Sequence, residues 1–211
     1  MAVKEVVKIL RKEYGSKGVF LTHLNPLQLL VATILSAQCT DARVNIVTSK
    51  LFKKYKTVND YAAADLKTFE NEIHSTGFYH NKAKNIINSA KMINDKFYGK
   101  VPSTMEDLLT LPGVARKTAN IVLTNGFDKV SGIAVDTHVF RLAHRLGWSS
   151  GKTADKVEKD LMRLVDKKDW ECVNHILVSH GRAVCVAKKP KCSNCLICKY
   201  CPSCKKIKGW C

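Results

Sequence analysis

The chain has 211 residues, enough for one domain or two small ones around a buried core. With 45% apolar and 25% charged residues, and only 11 glycines and 5 prolines, it is no collagen-like, disordered or low-complexity chain. The 35 Lys and Arg against 18 Asp and Glu give a net charge of +17. That balance suits a polyanionic partner, nucleic acid being the commonest, with a surface kept basic for solubility as the alternative.

Residues 2–14 place Val3, Val6, Val7 and Leu10 at the i, i+3, i+4, i+7 spacing of an amphipathic helix. The same segment is interrupted by Lys4, Glu5 and Lys8, so it predicts neither a signal peptide nor an organelle presequence. The longest apolar run, 27–35, is about half of a membrane-spanning helix. A cytoplasmic protein without a membrane segment is expected. Asn25 caps a helix with Pro26 at its first position, running to about Gln38. Thr40 or Asp41 starts the next, to about Tyr55. Shorter helices fit 58–66 and 68–75, a longer one fits 81–97 and stops before Gly99 and Pro102, and a short one fits 104–110. Helices over 115–126, 137–146, 153–165 and 170–184 complete the set. The only β-like run, 130–135, is too short to pair, so the chain reads as all-α with about ten helices.

Three segments carry chemistry. In LPGVARKTA (111–119), Pro112 and Gly113 make a tight turn between two helices. The second helix begins with unpaired N–H groups and the positive end of its dipole. With Gly113 allowing close approach, the backbone at Gly113, Val114, Ala115 and Arg116 can hold a phosphate without reading a base. An ordinary helix–turn–helix corner fits the same spacing. Lys117 falls in the first turn, where the dipole and partial burial disfavour its charge, and an easily neutralised amine is a better nucleophile. A phosphate-contacting lysine is the plainer alternative. In AVDTH (134–138), Asp136 stands at a helix N-cap, where capping is worth about 1 kcal/mol. The same fixed carboxylate can face a developing positive charge. His138 reads as structural.

The third segment is the C-terminal cysteine group. The nine cysteines are at 39, 172, 185, 192, 195, 198, 201, 204 and 211, seven of them from Cys185 onward. A secreted disulfide scaffold spreads its cysteines through a short chain, so this pattern is a metal module on a cytoplasmic protein. The spacing Cys185-x6-Cys192-x2-Cys195-x5-Cys201 supplies four thiolates, which suit iron–sulfur or zinc. Crowding at every third residue favours a cluster over paired zinc knuckles, and leaves Cys198 and Cys204 as additional near-ligands. Lys188, Lys189 and Lys191 make the intervening loop basic enough to rest on phosphates.

Taken in order, LSAQCTD (35–41), TGFYHNKA (76–83), LPGVARKTAN, AVDTH and the four-cysteine spacing resemble the endonuclease III family of helix-hairpin-helix DNA glycosylases over nearly the whole chain. The resemblance implies a two-domain all-α fold. A six-helix barrel would occupy 20–130, and 1–19 with 131–211 would form a helical domain around a 4Fe–4S cluster held by Cys185, Cys192, Cys195 and Cys201. DNA would bind across the groove between them. By position Lys117 matches the family's nucleophile and Asp136 its essential acid. Gln38 matches the residue that fills the gap left by a flipped base, and Phe78 stands where a leucine wedge is usual. Ala115 replaces a second hairpin glycine, and Cys39 stands where a small residue is common. The implied activity is a monomeric bifunctional glycosylase and abasic-site (AP) lyase for oxidised pyrimidines or abasic sites in duplex DNA, working at the nucleoid. A monofunctional mismatch glycosylase and a non-catalytic DNA-binding module are the rival readings.

Overall fold

The computed structural model describes residues 2–15 and 20–207. Residues 1, 16–19 and 208–211, with Cys211 among them, lie outside that description. The described residues are all-helical and contain no strand. The chain divides into two compact units, one spanning Val19–Ser131 and one made of Met1–Gly18 with Gly132–Cys211.

Among the described residues of the Val19–Ser131 unit, seven α-helices follow one another: α2 (Pro26–Leu35), α3 (Asp41–Lys54), α4 (Val58–Ala62), α5 (Leu66–Ile73), α6 (Tyr79–Phe97), α7 (Met105–Thr110) and α8 (Arg116–Phe127). Most start where a short polar side chain accepts the first free amides: Asn25 for α2, Thr40 for α3, Asp65 for α5 and Thr104 for α7. Thr57 and Asp60 make a reciprocal capping box at α4. The expected helices over 58–66 and 68–75 differ at their junction: the first stops at Ala62 and the second starts at Leu66, because the Asp65 carboxylate accepts from Thr68 N at 2.9 Å. Likewise α2 ends at Leu35 rather than Gln38, and α6 starts at Tyr79, because Gln38 (φ +54°) and Phe78 (φ +49°) are left-handed. The core joins Leu29, Leu35, Phe69, Ile73, Leu108 and Leu123, and α6 packs on α4 and α5 while α2 packs on α8.

The second unit holds α1 (Val3–Tyr14), α9 (Thr137–Arg145), α10 (Ala154–Leu164), α11 (Trp170–Ala183) and α12 (Pro202–Ile207). Val3, Val6, Val7 and Leu10 are all buried, as their spacing predicts. α11 packs against both α1 and α9. The β-like run places Ile133, Ala134 and Val135 in the interior without a strand partner. There, Asn174 Nδ2 donates to Ala134 O at 2.8 Å, so a side chain satisfies the backbone where a strand would. Short 3-10 turns at Cys192–Asn194 and Cys198–Tyr200, and α12 after them, shape the cysteine segment where hydrophobic patterning gives out.

In the first unit Tyr55, Tyr61 and Phe69 form an aromatic cluster, with Tyr61 stacked on Tyr55 at 5.1 Å and edge-on to Phe69 at 6.0 Å. Tyr61 is fully buried, and its hydroxyl has no hydrogen-bond partner among the described residues. Removing an unpaired buried hydroxyl relieves its desolvation cost. Tyr61→Phe is therefore expected to melt at the same temperature as wild type or higher in thermal denaturation. A loss above about 1 kcal/mol would show that the hydroxyl is paired in solution.

Candidate active site

The predicted hairpin is present: α7 ends at Thr110, Leu111 to Ala115 turn the chain, and α8 starts at Arg116. Val114 N donates to Leu111 O at 3.1 Å inside the turn, and Gly113 takes φ +77°. The turn is docked on α6. Ser89 Oγ donates to Pro112 O at 2.8 Å. A Cβ on Gly113 would lie 2.8 Å from Asn85 Nδ2 and 2.9 Å from Asn85 Cβ, so glycine is needed for both the backbone angle and the close approach. Ala115 occupies the N-cap of α8 with no side chain to cap it. The first-turn amides there keep their capacity for an anion. Gly113 and Ala115 are exposed, Val114 is buried beneath them, and Arg116 and Lys117 are partly buried in the first turn of α8.

Gln38 and Phe78, the two residues expected to enter DNA, are both exposed, Phe78 at 64%. Each is the left-handed residue of its turn. Nothing in the sequence signals that shared conformation, because neither is Gly, Asn or Asp.

In the other unit Asp136 is the N-cap of α9. Its Oδ1 accepts from His138 N and Val139 N, both at 2.8 Å. Oδ2 accepts no hydrogen bond among the described residues. The capping role and a free carboxylate oxygen thus coexist in one side chain. His138 is partly buried and lies 3.1 Å from Arg141, and burial pulls its pKa below the usual imidazole value.

Cys198 and Cys204 are joined to each other in a disulfide, which removes them from the candidate ligands. Cys185, Cys192, Cys195 and Cys201 take no part in a disulfide, and all four line one cavity with Leu142, Leu146 and Ile197. Among the described residues no three Cys, His, Asp or Glu side chains are placed to hold a single metal ion. The surroundings are basic or neutral. Arg145 Nη1 lies 3.2 Å from Cys185 Sγ. His180 Nε2 lies 3.4 Å from Cys195 Sγ, and burial lowers the pKa of that histidine to about 4, so it is neutral at pH 7. Burial pushes the Cys195 thiol up. Arg145 also donates to Val186 O (2.8 Å) and Ala187 O (2.9 Å), fixing the root of the loop that exposes Lys188, Lys189 and Lys191.

Sequence patterning missed Asn85 and Ser89 under the hairpin and Arg145 beside the thiols. The available signal was polar residues on an otherwise apolar helix face: 82, 85 and 89 stand at i, i+3 and i+7 of α6, beside buried Ile86 and Ile93.

All-helical described residues, a hairpin turn whose first-turn amides are open to an anion, a first-turn lysine and four thiols lining one cavity define a class, the helix-hairpin-helix base excision repair proteins. Residues 31–167 match the model of the HhH-GPD superfamily base excision DNA repair proteins. The chain belongs to the endonuclease III family of that superfamily. It is 51% identical to the endonuclease III of Synechocystis sp. over 199 residues, covering 94% of this chain and 91% of that one. It is 49% identical to the endonuclease III of Bacillus subtilis over 182 residues, covering 86% and 83%. The solved structure of a trapped endonuclease III–DNA covalent intermediate superposes with a TM-score of 0.93 at 42% identity, covering 98% of this chain and 97% of that one.

The hairpin geometry has a direct consequence. Gly113→Ala forces a side chain into a left-handed position and against Asn85 Cβ, which has no rotamer to withdraw to. The expected cost is about 1–3 kcal/mol, read as a lowered Tm, with weaker binding to duplex DNA of any sequence. An unchanged melt and unchanged binding would show that the turn re-forms without glycine.

Proposed function

We propose that the protein is a bifunctional DNA glycosylase and abasic-site lyase of base excision repair, acting on oxidised pyrimidines in duplex DNA. The observation that carries the reading is Lys117 in the first turn of a helix without a side-chain cap, directly behind a phosphate-binding turn. A glycosylase that only hydrolyses has no need of an amine there, whereas one that cuts the strand does. In this reading the Val19–Ser131 unit corresponds to the barrel domain expected over 20–130, with seven helices where six were expected, the five-residue α4 among them, and the remaining unit is the cluster domain.

The reaction begins with bending of the duplex and extrusion of the damaged nucleotide. Gln38 and Phe78 fill the vacated stack. Their exposure supports this, since an aromatic ring two-thirds in solvent contributes little to its own core. The amides of Gly113 and Ala115, the Arg116 guanidinium and the ammonium groups of Lys188, Lys189 and Lys191 hold backbone phosphates, whereas Val114 N is committed to Leu111 O and shapes the turn. Lys117 Nζ attacks C1′, the glycosidic C–N bond breaks with the base as leaving group, and the proton lost from the amine goes to the departing base. Asp136 stabilises the positive charge that develops on the sugar. Its Oδ1 is held by two amides, which leaves Oδ2 for that task. Ring opening yields a Schiff base on Lys117, and β-elimination cuts the strand on the 3′ side.

Cys185, Cys192, Cys195 and Cys201 fit a 4Fe–4S cluster. All four line one cavity, which supports a polynuclear group held by four thiolates. When bound, the cluster cross-links four positions of the chain, and its role here is structural. A four-thiolate cluster carries a charge of about −2, so the module meets DNA through its lysines.

The first test is borohydride trapping on duplex DNA with one thymine glycol. Wild type is expected to give a covalent band that is absent in Lys117→Gln, which still binds DNA. Base release without a trapped band would indicate a monofunctional glycosylase, and binding without turnover on lesion and abasic substrates would indicate a binding module. A second test is metal analysis of the purified protein. A yellow-brown protein with about four irons per chain and absorption near about 400 nm is expected. A colourless, active zinc protein would reject the cluster.

A further inference from the structure

We infer that Lys82 is a positioning residue for the entry of Gln38 and Phe78 into DNA, because its ammonium ties together the two turns that carry them. The inference rests on the duplex-opening role proposed above for those two side chains.

Lys82 sits in the first turn of α6 and is 4% exposed. Its Nζ donates to Leu35 O at 2.8 Å and to Thr76 O at 2.8 Å. Among the described residues it has no carboxylate partner. Burial pulls its pKa below the usual lysine value, with Cys39 working in the opposite direction. An apolar side chain of similar length would fill the site without the cost of desolvating a charge. What the ammonium alone supplies is two donors directed at two separate segments of chain.

Those segments are the roots of the two tips. Leu35 is the last residue of α2, so its carbonyl lacks an intrahelical partner and lies at the negative end of the dipole. Thr76 closes the 3-10 turn His74–Thr76. Gln38 follows Leu35 by three residues and Phe78 follows Thr76 by two. Both tips are exposed and both are left-handed, a conformation that their own side chains do not favour and that the flanking structure must hold. One buried ammonium therefore sets the spacing between two strained, exposed turns. Without it, each tip keeps its residue but the pair loses its common register. Chemistry at C1′ on DNA that needs no opening does not depend on that register.

The test compares Lys82→Met with wild type on two substrates, a duplex carrying thymine glycol and a single strand carrying an abasic site. On the duplex, base release and borohydride trapping are expected to fall about 100-fold, the scale of a small misplacement of a reacting group. On the single strand, cleavage is expected to stay within about twofold, since no stack is opened there. A 2-aminopurine beside the lesion should lose the fluorescence rise that reports extrusion. In a Gln38→Ala, Phe78→Ala background, Lys82→Met should cause no further loss, because the staple then has nothing to position. Thermal melting checks the fold, and Lys82→Gln is the substitute if Lys82→Met does not fold. Equal losses on both substrates, additive loss in the double-variant background, full activity, or failure of both variants to fold would each overturn the inference. If wild type itself neither traps nor cleaves, it is the function proposed above that fails, which sets that outcome apart.

Discussion

The constraint on which the Val19–Ser131 unit turns is the polar stripe of α6. Three polar positions, Lys82, Asn85 and Ser89, stand on the otherwise apolar inward face of this helix. Lys82 bonds the ends of two preceding segments, Asn85 lies against Gly113, and Ser89 bonds Pro112 O. An apolar stripe would bury this helix as well, but it would not specify where the neighbouring turns sit. Hydrophobic contact is non-directional, whereas a hydrogen bond weakens steeply off its axis. Polar groups here exchange some desolvation cost for placement. The hairpin behind Lys117 and the two exposed tips are thus all referred to the same helix.

The other unit solves a similar problem with cations. Arg141 donates to Cys185 O and Gly181 O, and Arg145 reaches Cys185 O, Val186 O and Ala187 O. These guanidinium groups satisfy the carbonyls where α11 ends and the basic loop begins. Arginine suits this because it presents several donors in a fixed plane and stays charged when partly buried. The same groups place positive charge beside thiols that must be deprotonated to bind metal. Neutral His180 adds no charge, and Tyr14 lies 3.1 Å from its Nδ1, which ties α1 into the wall of the cavity.

Much of this was legible in the sequence, for local reasons. Caps such as Asn25, Thr40 and Asp136 act within three residues of themselves, so they can be read from a window of four. The Pro112–Gly113 turn and the four-cysteine spacing are local in the same sense. The junction at Asp65, the left-handed tips and the Cys198–Cys204 pair were not legible. Asp65 competes with a continuing hydrophobic pattern, and a single carboxylate decides the outcome. Gln38 and Phe78 have no intrinsic liking for positive φ, and their conformation follows from contacts 47 and 6 residues apart in sequence that anchor their turns. Five cysteines at every third residue are equivalent as text, and only folding separates one disulfide from the thiols that line the cavity.

The placement of charge completes the argument. A net charge of +17 attracts any polyanion over a distance set by salt, and so brings DNA without choosing a nucleotide. Choice requires groups that act only once a base has left the stack. In the proposed reaction those groups are few and each is constrained by something other than charge: Lys117 by the start of a helix, Asp136 by two amides, and the tips by left-handed turns. Lys188, Lys189 and Lys191 show the contrast. They are exposed on a loop whose root is fixed by Arg145 and by Lys191 N bonding Val184 O. Their ammonium groups are free to follow a phosphate chain of any sequence. In that proposal exposed charge gathers the substrate, and groups held in place by the fold discriminate it.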